Sequence, residues 1–183
     1  MDAQIYILVN QTLSASWLDP VMYWVSHKWF WLPVYALIIG ICIKIFTSKA
    51  WLSVLCMLLC LVASDRFTSG VMKPLFNRVR PCHEISLHPR IIDGVHCSDT
   101  GSMASSHAAN HFALSVFLIL LFGIKGAMRW VLLAWASLVA YSRVYLGVHY
   151  PSDVLVGAVV GTAIAFIIHY LYLKFINQLK WTF

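Results

Sequence analysis

AMRWVLLAWASLVAYSRVYLGVHYPSDVLVGAVVGTAIAFIIHYLYLKFI, residues 127–176, decides the fold. It contains two apolar blocks, 127–147 and 152–176, separated by a short break ending in His149-Tyr150-Pro151. Each block is long enough for a helix to cross ~30 Å of hydrocarbon at ~1.5 Å per residue. Working outward, three blocks of the same kind lie at 29–46, 51–72 and 107–124. Composition agrees, with 61% hydrophobic and 11% charged residues against roughly half and a quarter in soluble domains. A soluble globular domain is excluded. The chain reads as an all-α polytopic membrane helix bundle, one domain over 1–183.

Residues 3–13 and 18–27, interrupted by Asp19-Pro20, are too short to span and are expected as helices in the membrane interface. A sixth span drawn from residues 1–28 is the alternative. The start of the chain carries an acid and no basic region, so it is expected to stay on the mature protein. Trp17, Trp24, Trp29, Trp31, Trp51, Trp130 and Trp181 fall near span ends, where amphipathic rings anchor. The net charge is +6, but the basic residues are scattered between apolar blocks, which argues against nucleic acid as a partner.

If five spans alternate, residues 1–28, 73–106 and 148–151 share one face, and 47–50, 124–130 and the C-terminal tail share the other. The second face carries Lys44, Lys49, Lys125, Arg129, Lys174 and Lys180 and no acid, which makes it cytoplasmic. The polar loop 73–106 then faces outward from a bacterial inner membrane.

Three polar clusters converge on that outer face: Lys73 to Pro81, Ala104 to His107, and Ser142 to Asp153. Arg143 sits inside an apolar span, where a cation is costly unless it meets water, a counter-ion or a ligand. His149 and Asp153 are four apart with Pro151 between them, so Asp153 falls in the first turn of the last span and can reach back to the imidazole. Ser105 and Ser106 can cap the third span just ahead of His107, turning free backbone N–H groups outward as an anion site. Lys73 and Arg80 are two helical turns apart, with a break or bend expected at Pro74. Three cations, two histidines, a carboxylate and a helix N-terminus suit a phosphoryl group and its in-line displacement.

These residues resemble the three-part signature of the type 2 phosphatidic acid phosphatase superfamily, which also includes vanadium haloperoxidases. The matches are Lys-x6-Arg-Pro at Lys73 to Pro81, x-Ser-x-His at Ala104 to His107, and Ser-Arg-x5-His-x3-Asp at Ser142 to Asp153. One departure is visible: the family's usual Pro-Ser-Gly-His is Ala104-Ser105-Ser106-His107. The resemblance implies a lipid phosphatase in which His149 attacks phosphorus, Asp153 orients it, and His107 protonates the leaving oxygen. It further implies that Lys73, Arg80, Arg143, Ser105 and Ser106 hold the phosphate oxygens, with no metal and no cofactor. The expected partners are the bilayer and a membrane lipid phosphate. A compact chain of this kind is similar to bacterial undecaprenyl-diphosphate phosphatases, with phosphatidylglycerophosphate, phosphatidic acid and lipid A 1-phosphate as alternative substrates.

Other classes fit less well. A transporter with an anion site would place its ionic groups at the midplane of inverted repeats, whereas these cluster at span ends on one face. A non-catalytic lipid-binding member differs from an enzyme by phosphate release alone. His83, Glu84, His88, Asp93, His96 and Asp99 enrich the outer loop in ligand types, yet no pair has a recognised zinc spacing. Cys82 and Cys97 flank that loop and are expected to pair in an oxidising exterior, while Cys42, Cys56 and Cys60 lie in spans as packing residues.

Overall fold

The computed structural model describes residues 1–179, leaving Lys180 and Trp181 of the sequence reading outside the described residues. Five long helices carry the five apolar blocks: α3 (Leu32–Phe46), α4 (Ala50–Phe67), α6 (Ser106–Leu121), α7 (Ala127–Tyr145) and α8 (Pro151–Leu179). Before them come α1 (Asp2–Ile7), prolonged by a π turn over Leu8–Thr12, and α2 (Asp19–Ser26). No strand occurs among the described residues. The outward surface of the long helices is apolar, with Ile41, Ile45, Leu58, Val62, Val159 and Ile167 all exposed. A surface of this kind belongs in hydrocarbon, not in water.

Because lipid is as apolar as leucine, such helices are held together mainly by close packing of small residues. Gly157 and Gly161 of α8 lie four apart on one face against α6. A Cβ at Gly157 would stand 2.5 Å from the Ser105 carbonyl oxygen, and one at Gly161 only 2.9 Å from the Ala109 carbonyl carbon. Ala108, Ala109 and Ala113 on α6 are fully buried. Around this seam, Cys42, Cys56, Cys60, Leu114, Phe117 and Tyr172 form one core, the three free cysteines acting as buried packing residues.

A second core, at the end of the bundle that carries the polar loop, joins Tyr6 and Val9 to Tyr145, Tyr150 and Val154. The short N-terminal helices are therefore docked on α7 and α8. Asn10 is fully buried, its amide donating to the Tyr145 carbonyl at 2.8 Å and the Arg90 carbonyl at 2.9 Å. Arg90 reaches back to Asp19 at the start of α2, and the Tyr145 hydroxyl donates to the same carboxylate at 2.7 Å. The Arg90 guanidinium holds the Asp19 carboxyl below its ordinary range.

Around Pro74 the structure shows how the helix is interrupted. The helix runs on from α4 through a π turn, Thr68–Met72, into α5 (Lys73–Phe76) and stops three residues past the proline, at Asn77 in left-handed conformation (φ 39°). Proline in the first turn of α5 loses no bond it needs, and the widened turn ahead accommodates its ring. Asparagine tolerates the left-handed region and ends the helix. Lys73 is thus helical while Arg80 is extended (φ −75°, ψ 149°), so the two do not share a helix face.

Candidate active site

The turn between α7 and α8 supplies His149, which is 3% exposed and lies with its Nδ1 3.5 Å from an Asp153 carboxylate oxygen. Pro151 starts α8, so Asp153 falls in its first turn, and its carboxylate also accepts the Tyr150 N–H at 2.8 Å. Ser102 donates its hydroxyl to the same carboxylate. With Nδ1 directed at a carboxylate, Nε2 faces the cavity, where Arg80 Nη1 donates to it at 3.3 Å. Burial pushes His149 down to about 4, with Asp153 opposing and Arg143 and Arg80 adding to the shift. A neutral imidazole with one lone pair in the cavity is the form a nucleophile requires.

The cavity measures about 540 Å³ and brings together Lys73, Arg80, Ser106, His107, Arg143 and His149. These six of the eight expected residues line it. Asp153 lies behind His149 and is fully buried. Ser105 is also fully buried, and its hydroxyl caps α6 by accepting the Ala108 N–H at 3.4 Å. Its own N–H donates to the Asp153 carbonyl at 3.0 Å, fastening the first turn of α6 to the first turn of α8. The Ser106 hydroxyl meets Thr68 at 2.8 Å and Ser69 at 3.1 Å, which ties α6 to the π turn below Lys73.

Arg80 is held by loop carbonyls, donating to Thr100 O at 2.8 Å and Val148 O at 3.1 Å. Arg143 rises from the last turn of α7 and donates to the hydroxyl of Ser26, the final residue of α2. Its Nε has no protein partner. Gly101 lets the loop pass Lys73 closely, since a Cβ there would stand 2.8 Å from the Lys73 carbonyl oxygen. The two guanidiniums are therefore held before any ligand arrives, as electrostatic stabilisation of a charged transition state demands.

Four residues near the site escaped the sequence reading. Ser26 and Ser102 carry no local signal, because their partners lie 117 and 51 residues away. Arg78 falls inside the first cluster without an expected role, and Asp2 opens α1; both are drawn to the start of α8. Cys82 and Cys97 form the expected disulfide. His83 lies beside it, with Nε2 3.3 Å from Cys97 Sγ, but sulfurs bonded to each other are not thiolate ligands.

A model of the PAP2 superfamily matches residues 50–177, from the start of α4 into the last turn of α8. The chain belongs to the PAP2 superfamily. This PAP2 chain is 34% identical to a lipid A 4'-phosphatase of Bacteroides thetaiotaomicron, over 88% of its own length and 72% of that protein. It is 30% identical to an undecaprenyl-diphosphatase of Sulfolobus acidocaldarius, covering 91% and 76%. The crystal structure of a PAP2-type phosphatidylglycerolphosphate phosphatase from Bacillus subtilis superposes with a TM-score of 0.69 at 26% identity, covering 94% of this chain and 85% of that one. As a PAP2 member the chain is an integral membrane lipid phosphatase.

Proposed function

We propose that this lipid phosphatase removes the terminal phosphate of an outward-facing membrane lipid through a phosphohistidine on His149. The observation that carries the proposal is the His149 imidazole, backed by Asp153 at 3.5 Å, sharing one cavity with Lys73, Arg80 and Arg143. His149 Nε2 attacks phosphorus as the bond from phosphorus to the lipid oxygen breaks, and His107 gives that oxygen its proton. Lys73, Arg80, Arg143 and the first turn of α6 hold the three remaining oxygens. Water then attacks the phosphohistidine with His107 as base, releasing inorganic phosphate and restoring both histidines.

For the lipid, a phosphorylated glycolipid of the lipid A kind is the best-supported reading. An annex of about 370 Å³ opens beside the main cavity, bounded by Tyr23, His27 and Gly94 and sharing Lys28, His96, His107 and Arg143 with it. That volume exceeds the needs of one phosphoryl group and accommodates a sugar ring. The 34% identity to the lipid A 4'-phosphatase points the same way. Undecaprenyl diphosphate, the first expectation from sequence, is the second reading, because Lys28 beside Arg143 suits its inner phosphate. The acid-free basic loops support a site facing the periplasm of an inner-membrane protein, built as one domain.

Phosphate release from purified protein in detergent, with lipid A, undecaprenyl diphosphate, phosphatidylglycerophosphate and phosphatidic acid offered separately, tests the reading. Lipid A is expected to show the highest kcat/KM. Preference for undecaprenyl diphosphate selects the second reading, and no release from any of them rejects both.

A further inference from the structure

Arg78 stands behind the reacting imidazole, on the far side of Asp153 from the cavity. Its Nη1 donates to Asp153 Oδ1 at 2.7 Å and to the Ser152 hydroxyl at 2.6 Å, while Nη2 donates to Asp2 Oδ2 at 2.6 Å. The guanidinium carbon lies 3.9 Å from the Tyr150 ring centroid, so the fork is held flat against an aromatic face. Asp2 does more than meet Arg78. Its Oδ1 accepts the Ser152 N–H at 3.0 Å and its Oδ2 accepts the Ser152 hydroxyl at 2.5 Å, binding α1 to the first turn of α8. One guanidinium is therefore shared between two carboxylates, of which one faces His149.

We infer that Arg78 and Asp2 are positioning residues for the phosphoryl transfer: Arg78 clamps Asp153 in register with His149, and Asp2 draws part of the guanidinium's charge away from it. This rests on the proposed roles of His149 and Asp153. Asp153 has three hydrogen-bond donors besides the imidazole: the Ser102 hydroxyl and the Tyr150 N–H on Oδ2, and Arg78 Nη1 on Oδ1. A carboxylate paired with an unshared arginine would stabilise an imidazolium weakly. With Asp2 sharing the arginine, Asp153 keeps enough negative field to favour the cationic, phosphorylated histidine. The other groups facing the imidazole are Arg80 from the loop, Arg143 from α7, His107 from α6 and Lys73 from α5, and none of them contacts Asp2.

The two residues make opposite predictions. In Asp2→Asn the whole charge of Arg78 falls on Asp153, so the acid limb of the kcat/KM profile on a lipid phosphate moves to lower pH and the plateau falls. In Arg78→Met the field at His149 becomes more negative and the limb moves to higher pH, each shift being about half a unit, the order expected of one charge acting through an intervening group. The Arg78→Met plateau falls by about 10²-fold, because Asp153 is no longer held in register. Arg78→Lys restores the position of the limb but only part of the rate, since an ammonium cannot bridge two carboxylates as a fork does. Limbs that stay at the wild-type pH in both variants, or that move in the same direction, overturn the inference. Should Arg78→Met fail to fold, the near-isosteric Asp2→Asn decides alone. Wild type and His149→Ala run alongside: an active His149→Ala enzyme would break the underlying mechanism, a result distinct from unshifted limbs.

Discussion

Gly161→Ala tests whether the close contact of α8 with α6 sets the geometry of the site. The added Cβ would lie 2.9 Å from the Ala109 carbonyl carbon and 3.0 Å from its Cα, with the carbonyl oxygen nearer still. The obstacle is backbone, so no rotamer change relieves it, and α6 must retreat by about 1 Å at a cost of about 1–3 kcal/mol. Ala109 is two residues past His107, and the same helix turn is fastened to Asp153 through Ser105. The retreat therefore pulls His107 away from His149, and a misplacement of about 1 Å lowers kcat/KM by about 10²-fold. The assay pairs the thermal midpoint in detergent with kcat/KM on one lipid phosphate. Gly40→Ala is the control: a Cβ there meets nothing within 4 Å, so removing helix glycine should leave activity intact and stabilise the protein by about 0.4–1 kcal/mol. Wild-type stability and wild-type kcat/KM in Gly161→Ala would refute the claim that this seam positions His107.

His149→Ala and His107→Ala are each expected to abolish turnover with a near-wild-type thermal midpoint, and a wild-type rate in either rejects the transfer mechanism. The Asp19 carboxyl is depressed by Arg90, so the tie it provides is complete above the ordinary carboxylate value of about 4 and is lost only as pH falls through the lower folded value. Asp19→Asn should accordingly speed proteolysis of the 84–99 loop at neutral pH, whereas the wild type should show that rate only in acid. Alkylation without reductant should leave Cys82 and Cys97 unmodified in intact mass, and two added labels there would exclude the bond. In a background lacking the free cysteines, Ser86→Cys should react with an impermeant reagent from outside and Lys125→Cys only after permeabilisation; the reverse pattern inverts the proposed orientation.

The five long helices were legible in the chain because hydrocarbon imposes a length and a composition on every span, and both can be read without knowing the neighbours. Observed ends fall within a few residues of expectation, as with 152–176 against Pro151–Leu179. The convergence of Lys73, His107 and His149 was legible for a related reason, since alternation of spans sends their three clusters to one face. The interruption near Pro74 was legible from the proline, but the π turn that precedes it was not, because such a turn leaves no periodic mark. Gly157 and Gly161 stood in view at small-residue spacing, yet an apolar block reads the same whether its glycines face lipid or a partner helix.

Asp2, Arg78, Ser26 and Ser102 were illegible for a deeper reason. Each meets its partner across 51 to 150 residues, so its position follows from docking and not from local pattern. The two short helices make that docking possible. α2 ends at Ser26 beneath Arg143, and α1 begins at Asp2 beside Asp153's helix. A span can deliver a charged side chain to the membrane edge, but its end has few neighbours to hold that side chain still. Here the segments outside the spans provide them: α1, α2 and the loop pinned by Asn10 and Arg90 surround the polar ends of α6, α7 and α8. In the proposed mechanism the reacting groups at the ends of the long helices are held by these short docked segments, so substitutions in α1 are expected to alter the chemistry of a histidine nearly 150 residues away.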